Sequence, residues 1–308
     1  MNIVGKRLWF FIIAVILVLV CIVSLAIFHL NYGVDFSPGS VLTVSFDQMV
    51  SRDTLRAQLD SMGFQNATIE PIRIQGSAYN IRTHVLTQAQ IDQLQSDLSA
   101  QLGSLKLSVT TEEAIVTGES RTNAIVAVIV AAIGMLIYIA WAFRKMPNPF
   151  RYATCAIAGL AFDLLIALGT YSILGSILGW QIDLMFVSGL LAILGFSINN
   201  TIIVFDRIRE NMGRGISSDI AVVANFGIVE TLGRSFNSGL TALFTLFVLA
   251  IFVGSSIQNF VVVLIIGVIS GIYTSTCLSP ELLVAWQKKA WGSFSGKADN
   301  LVTAKAKT

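Results

Sequence analysis

Six stretches of this chain are long and apolar enough to cross a bilayer as helices: residues 9–30, 123–143, 152–174, 184–205, 235–253 and 260–286. About 20 apolar residues span the roughly 30 Å hydrocarbon core, and only a helix or a closed barrel satisfies every backbone polar group there. No soluble core accounts for six such runs in 308 residues, of which 55% are hydrophobic and only 12% charged. The first run follows Lys6 and Arg7 as the core of a signal peptide would. Its length, and the lack of a clear small-residue cleavage site, predict a retained anchor instead. The expected fold class is therefore membrane α-helical, with six transmembrane helices.

Charge in the loops orients the bundle. Six helices put both termini on one side, and that side collects Lys6, Arg7, Arg144, Lys145, Arg151, Arg207, Arg209, Arg214, Lys288 and Lys289. The opposite short loops, GSILGWQID and GSSIQN, contain no Lys or Arg. The positive-inside rule predicts that both termini are cytoplasmic and that the long segment after the first helix is external. A net charge of +2 with no basic tract gives no sign of nucleic acid as a partner. Cys21, Cys155 and Cys277 all fall inside predicted spans, where they read as small packing residues, so no disulfide framework is implied.

The external segment changes pattern completely. VLTVSF (41–46) reads as a strand, and SRDTLRAQLDSMGF (51–64) as a helix with a Ser or Asp cap and Leu55, Leu59 and Met62 at helical spacing. ATIEPIRIQ and SAYNIRTHV follow as strands around a turn at Gly76. TQAQIDQLQSDLSAQLG (87–103) repeats the helical spacing through Ile91, Leu94, Leu98 and Leu102, and LKLSVTTEEAIV (105–116) reads as the last strand. The order βαββαβ predicts a small external α+β, ferredoxin-like domain with both helices on one face of the sheet. Its one histidine, His84, has no cluster of Cys, His or carboxylates to join, so no metal or nucleophile site is expected. The expected divisions are residues 1–30, 31–120, 121–286 and 287–308: N-terminus and first helix, external domain, helices two to six, and cytoplasmic tail.

Polar residues inside the spans are the candidate functional positions, because an ionisable or amide group in hydrocarbon must face another helix or water. Asp163 lies twelve residues, or about 18 Å, along its helix from Arg151, which places it near mid-bilayer. Asn199 and Asn200 precede a charged cluster in GFSINNTIIVFDRIREN (195–211). Within that cluster Asp206 and Glu210 share a helical face, and Arg207 is in reach of phosphate headgroups, so membrane lipids are expected contacts. Three roles stand open for Arg234: pairing with an intramembrane carboxylate, snorkelling to the interface, or a local i, i+4 pair with Glu230. Residues 217–233 read as a helix lying along the inner interface. No Ser/His/Asp set, HExxH, phosphate loop or CxxC pair points to an enzyme or a cofactor.

Four motifs carry a family resemblance that extends from the first helix to the sixth. YGVDFSPGS (32–40) resembles the GxDFxGG motif of the SecF family of protein-export membrane proteins, with Pro38 and Gly39 where the family usually has two glycines. GFSINNTIIVFDRIREN is similar to the family's GxSxNDTxVVxDRIREN signature, LAFDLLIALG (160–169) to HDxxxxLG with Phe162 for histidine, and LGRSFNSGLTAL (232–243) to RTxxTSxTT.

The resemblance implies a prokaryotic plasma-membrane subunit that pairs with SecD beside the translocon of SecY, SecE and SecG. With the proton-motive force it would promote export of unfolded polypeptides. It implies a polar, proton-coupling seam of Asp163, Asn199, Asn200 and Arg234, a cytoplasmic signature of Asp206, Arg207, Arg209, Glu210 and Asn211, and an external junction of Gly33, Asp35, Phe36 and Gly39. No cofactor is implied. Asn200 stands where the family usually has aspartate, and an amide neither takes up nor releases a proton near neutrality. Protons then fall to Asp163 or to a carboxylate of SecD. Two other readings remain: a scaffold that uses no protons, and part of a resistance-nodulation-division solute exporter, for which the external segment is small.

Overall fold

The computed structural model describes residues 3–32, 36, 39–46, 48–64, 67–72, 77–83, 85–102, 105–112, 114–146, 148–252 and 257–288. Six helical segments in it are long and apolar enough to cross a membrane. They are α1 (Arg7–Phe28), α4 (Ala114–Ala142), α5 (Pro149–Leu178), α6 (Leu184–Gly213), α7 (Ile220–Phe252) and a composite last span. That last span runs from α8 (Gln258–Tyr273) through a π-helical turn (Thr274–Leu278) into α9 (Ser279–Gln287). Helices α5 and α6 and the last span form the buried centre, while α1, α4 and α7 turn most of their apolar side chains outward, as lipid-facing helices do.

Close approach at the centre comes from glycine on one helix and a branched or small side chain on the next. A Cβ at Gly267 on α8 would collide with the Ile193 side chain on α6, and one at Gly159 on α5 with Ser279 and Thr274. Caps fix the helix ends: Asp183 accepts the Phe186 amide at 2.7 Å at the start of α6, and Asp219 accepts the Ala221 amide at 2.9 Å at the start of α7. Helix α7 is one unbroken element, where the sequence suggested an interfacial helix followed by a span. Gly233 does not break it, since one glycine costs a helix only about 1 kcal/mol and no proline follows.

Between α1 and α4 lies a small sheet of β1 (Gly39–Phe46), β2 (Thr68–Ile72), β3 (Ser77–Thr83) and β4 (Leu105–Glu112), with α2 (Arg52–Ser61) and α3 (Gln88–Leu102) inserted in the order βαββαβ. The strands lie β2-β3-β1-β4, all antiparallel, with Leu42 opposite Ile81 and Val109. Strand alternation sends Leu42, Val44 and Phe46 to one face, where they meet Leu55 and Leu59 of α2 and Ile91, Leu94 and Leu98 of α3 in a single core. Ser51 caps α2 by accepting the Thr54 amide at 3.1 Å. The last strand is shorter than its sequence pattern suggested, because Ala114–Val116 already belong to α4. The turn at Gly76, His84 and Gly103 lie outside the described residues.

Two ends of the bundle are now distinguishable. At one, the Ile3 and Val4 amides donate to Asn225 Oδ1 (2.8 and 3.3 Å), and Lys288 pairs with Asp219 (2.7 Å), so the chain start, the head of α7 and the end of α9 meet. This is the basic end. At the other, the Ile182 amide donates to the Asn31 carbonyl (2.7 Å) and Asn31 Nδ2 to the Gly175 carbonyl (3.1 Å), tying the exit of α1 to the α5–α6 turn. The sheet grows from that second end.

Candidate functional site

Asp163 is fully buried where α5, α6 and the last span meet. Three hydroxyls donate to its carboxyl: Ser197 of α6 to Oδ2, Ser270 of α8 to Oδ1, and Thr274 of the π turn to Oδ1 at 2.6 Å. Each donor comes from a place where the helices pack unusually closely. A Cβ on Gly271 would press on Ser197, and Gly159, one turn before Asp163, lies against Thr274. The π turn widens the helix locally and presents Thr274 toward Asp163, a distortion that helices reserve mostly for functional sites. A carboxyl taken out of water is tolerated only with its lone pairs satisfied, and here three hydroxyls do that in place of a cation. Hydroxyls both donate and accept, so the same cradle holds the carboxyl with or without its proton.

The other sequence candidates lie at different depths and exposures. Asn200 is buried on α6, but its amide nitrogen has no acceptor, whereas Asn199 is exposed. On α7, the Ser235 hydroxyl is also buried without a partner. Gly227 of α7 packs directly on Ile208 of α6. Arg234 is exposed on α7 and pairs with neither Asp163 nor Glu230 among the described residues. It heads a polar stripe with Asn237, Ser238, Thr241 and Thr245 that is exposed along a membrane-crossing helix.

Glu230 is instead held from α6. Arg207 Nε (2.7 Å) and Asn211 Nδ2 (2.8 Å) both donate to its Oε2, and Arg207 also pairs with Glu210 at 2.5 Å. Asp206 pairs with Arg209, and Glu210 with Arg214, each at 2.5 Å. Asn211 is completely buried, so the signature does more than present charge: it clamps the end of α6 to the first half of α7. At the other end of the bundle Phe36 is buried in a cluster with Tyr171 of α5 and Phe186 of α6, and Gly39 opens β1 opposite Glu112. Gly33 and Asp35 lie outside the described residues.

One group escaped the sequence reading. Glu281, in the first turn of α9, is fully buried, and neither carboxyl oxygen has a hydrogen-bond partner. A Glu inside the 260–286 apolar run was the available signal. Among the described residues no group of three or more His, Cys, Asp or Glu side chains is placed to hold a metal.

A helical membrane protein with a hydroxyl-cradled carboxyl at its centre and a small sheet at one end has clear relatives. Residues 96–289 match the family described as "Protein export membrane protein SecD/SecF, C-terminal", and residues 23–48 match the SecD/SecF GG motif. The protein translocase subunit SecF of Thermobaculum terrenum is 34% identical, with 94% of each chain covered. SecDF of Bacillus subtilis is 30% identical over 92% of this chain, but this chain spans only 38% of it.

Among solved structures, SecDF of Thermus thermophilus, described as a translocon-associated membrane protein, superposes with a TM-score of 0.80 at 27% identity, covering 94% of this chain and 39% of that one. SecDF in a super-membrane-facing form gives 0.68 at 26% identity, again covering 94% and 39%. The chain belongs to the SecD/SecF family and is a SecF subunit of protein translocation.

Proposed function

We propose that this subunit works with a SecD protein in the prokaryotic plasma (inner) membrane, beside the SecY–SecE–SecG translocon, and uses the proton-motive force to promote export of unfolded polypeptides. Both termini face the cytoplasm, as the basic end of the bundle suggests, and residues 31–120 form an external domain. Its βαββαβ order and strand order β2-β3-β1-β4 support the ferredoxin-like reading. The division into 1–30, 31–120, 121–286 and a 287–308 tail belongs to the same reading, supported by the element order over the described residues.

Asp163 carries the proposal: a fully buried carboxyl at the junction of three helices, ringed by groups that serve either protonation state. Proton uptake or release there changes the balance between the carboxyl and its donors on α6 and the last span, and so their preferred packing. The change has a short route outward. Tyr171 lies eight residues, about 12 Å, along α5 from Asp163 and shares a buried cluster with Phe36 of the junction motif. Strand β1 follows that motif, and its neighbour β4 leads into α4, so the sheet is tied to the bundle through two adjacent strands. Gly33, Asp35, Phe36 and Gly39 serve as that junction.

Asn200 is a polar contact rather than an acid, and its amide and the Ser235 hydroxyl are buried with hydrogen-bonding capacity left unused. The polar stripe headed by Arg234 faces SecD, since lipid offers Arg234, Asn237 and Ser238 no partners, while the Thr241 and Thr245 hydroxyls donate to carbonyls of their own helix. Arg234 then serves the coupling across that interface. Asp206, Arg207, Arg209, Glu210 and Asn211 hold the α6–α7 corner and meet lipid headgroups. The second reading, a scaffold that uses no protons, draws on Asn200 standing where an acid is usual.

Inner-membrane vesicles holding the translocon, matched SecD and this chain decide between the two. Stimulation of export by the pair is expected to vanish when a protonophore collapses the gradient. Stimulation that survives the protonophore undiminished overturns proton coupling and leaves the scaffold.

A further inference from the structure

Asp163 is not the only carboxyl buried in the spans. Glu281 is fully buried on the cytoplasmic side of it, and both of its oxygens lack hydrogen-bond partners. An ionised carboxylate in that position has nothing to replace its lost hydration, so the group is held there as the acid or is reached by water in another conformation. Charged and titratable groups surround it at greater range. Arg7, at the start of α1, acts on it by charge, and Cys277 precedes it by one turn on its own span. Tyr152 and Cys155 of α5 lie in the buried cluster that also holds Leu283 and Val284 of α9. At the head of α7 stands the Asp219–Lys288 pair.

Polar side chains of the last span lie between the two carboxyls in sequence, and those without partners leave hydrogen-bonding capacity for water. Thr274 donates to Asp163 through its hydroxyl, while its methyl group lies against the Gly159 position on α5. The same glycine faces the Ser279 hydroxyl, which is buried and has no partner, and Ser279 is two residues from Glu281. Beyond Glu281 the helix continues seven residues, about 10 Å, to Lys288. Lys288 lines a cavity of about 440 Å³ with Met212, Ser217, Asp219, Val223 and Gln287. Gly159 makes room for this close approach, because any side chain there would fill the space that the Ser279 hydroxyl and the Thr274 methyl share.

We propose that Glu281 is a second proton-carrying carboxyl of this subunit, passing protons between Asp163 and the cytoplasmic cavity by way of Thr274, Ser279 and intervening water. In each transfer one proton leaves an Asp163 oxygen and one arrives on a Glu281 oxygen, so the first becomes carboxylate and the second acid. Glu281 then releases the proton to water in the cavity. No electron moves and no other bond changes.

This inference rests on the proton-coupled reading above, and the test separates the two. Native protein, Asp163→Asn, Glu281→Gln and Glu281→Asp are compared in vesicles with SecD and the translocon, with assembly read by copurification with SecD. The gradient-dependent part of export is expected to be lost in Asp163→Asn and largely lost in Glu281→Gln, and partly retained in Glu281→Asp. Infrared difference spectra are expected to show a protonated-carboxyl band that Glu281→Gln removes and Asp163→Asn leaves.

Native gradient dependence in Glu281→Gln, with loss in Asp163→Asn, overturns the proposal but not the coupling. Native behaviour in both overturns the two together. Should Glu281→Gln fail to assemble, Glu281→Asp carries the test through the infrared spectra, and a protonated-carboxyl band that this variant leaves unshifted overturns the proposal.

Discussion

The three hydroxyls on Asp163 are not equivalent, and their difference is measurable. Oδ1 accepts from both Ser270 and Thr274, whereas Oδ2 accepts from Ser197 alone. Ser197→Ala therefore leaves one buried carboxylate oxygen with no donor, while Ser270→Ala still leaves Thr274. Alanine keeps the Cβ on which the Gly271 backbone packs, so the substitution deletes one hydroxyl and opens little space. A hydrogen bond to a charged group contributes about 1.5–3 kcal/mol and a neutral one about 0.5–1.5 kcal/mol.

With the carboxyl ionised at alkaline pH, Ser197→Ala is expected to destabilise by about 2 kcal/mol or more, and Ser270→Ala by about half of that. Repeating both in an Asp163→Asn background removes the charge, and the cost of Ser197→Ala should shrink by about 1 kcal/mol. Reversible unfolding of the purified chain in mixed micelles gives the four free energies of the cycle. Equal costs of Ser197→Ala in both backgrounds, or a larger cost for Ser270→Ala, would refute the charged-cradle argument.

Other consequences follow from the packing and the ion pairs. Gly267→Ala should cost about 1–3 kcal/mol by overpacking against Ile193, whereas Gly195→Ala, with open space around it, should cost nothing measurable in the same unfolding assay. Glu230→Ala strands the buried Asn211 amide and should cost about 1–3 kcal/mol, against at most about 1 kcal/mol for Asp206→Ala, whose pair with Arg209 is solvent-exposed. Burial raises the pKa of Asp219, but hydrogen bonds from Lys288 and the Ala221 amide, with the charges of Lys288 and Arg7, outweigh it and hold the carboxyl below its ordinary 3.8. Its contribution to stability is thus present above pH 3.8 and lost as pH falls through the lower folded value. The stability gap between native protein and Asp219→Asn should close on acidification through that window.

The helices and the sheet were legible because both depend on period. Apolar runs gave the six spans, VLTVSF gave β1, and helical spacing gave Leu55, Leu59, Ile91, Leu94 and Leu98, which the structure gathers with Leu42, Val44 and Phe46 into one core. Asp163 was legible too, since a carboxyl near mid-bilayer has no bland solvated reading. Its donors were not. Ser197, Ser270 and Thr274 look like ordinary small residues of packed helices, and only the three-dimensional crossing brings them together.

Arg234 and Glu230 illustrate the opposite error. Spacing of i, i+4 suggested a local pair, but Glu230 is held across the α6–α7 corner by Arg207 and Asn211, a contact no local pattern encodes. Glu281 was passed over because it sits beside Pro280 near the end of a span, where an acidic residue is easily taken for interfacial. The packing of α9 against α5 and α7 is what buries it.

The most direct test of the account is gradient-dependent export in vesicles with matched SecD and the translocon, comparing native protein with Asp163→Asn and Asn200→Asp. The account predicts that Asp163→Asn assembles normally and loses the gradient-dependent part, and that Asn200→Asp does not replace it. An assembled Asp163→Asn complex that exports with native gradient dependence would contradict the assignment of Asp163 as the coupling carboxyl.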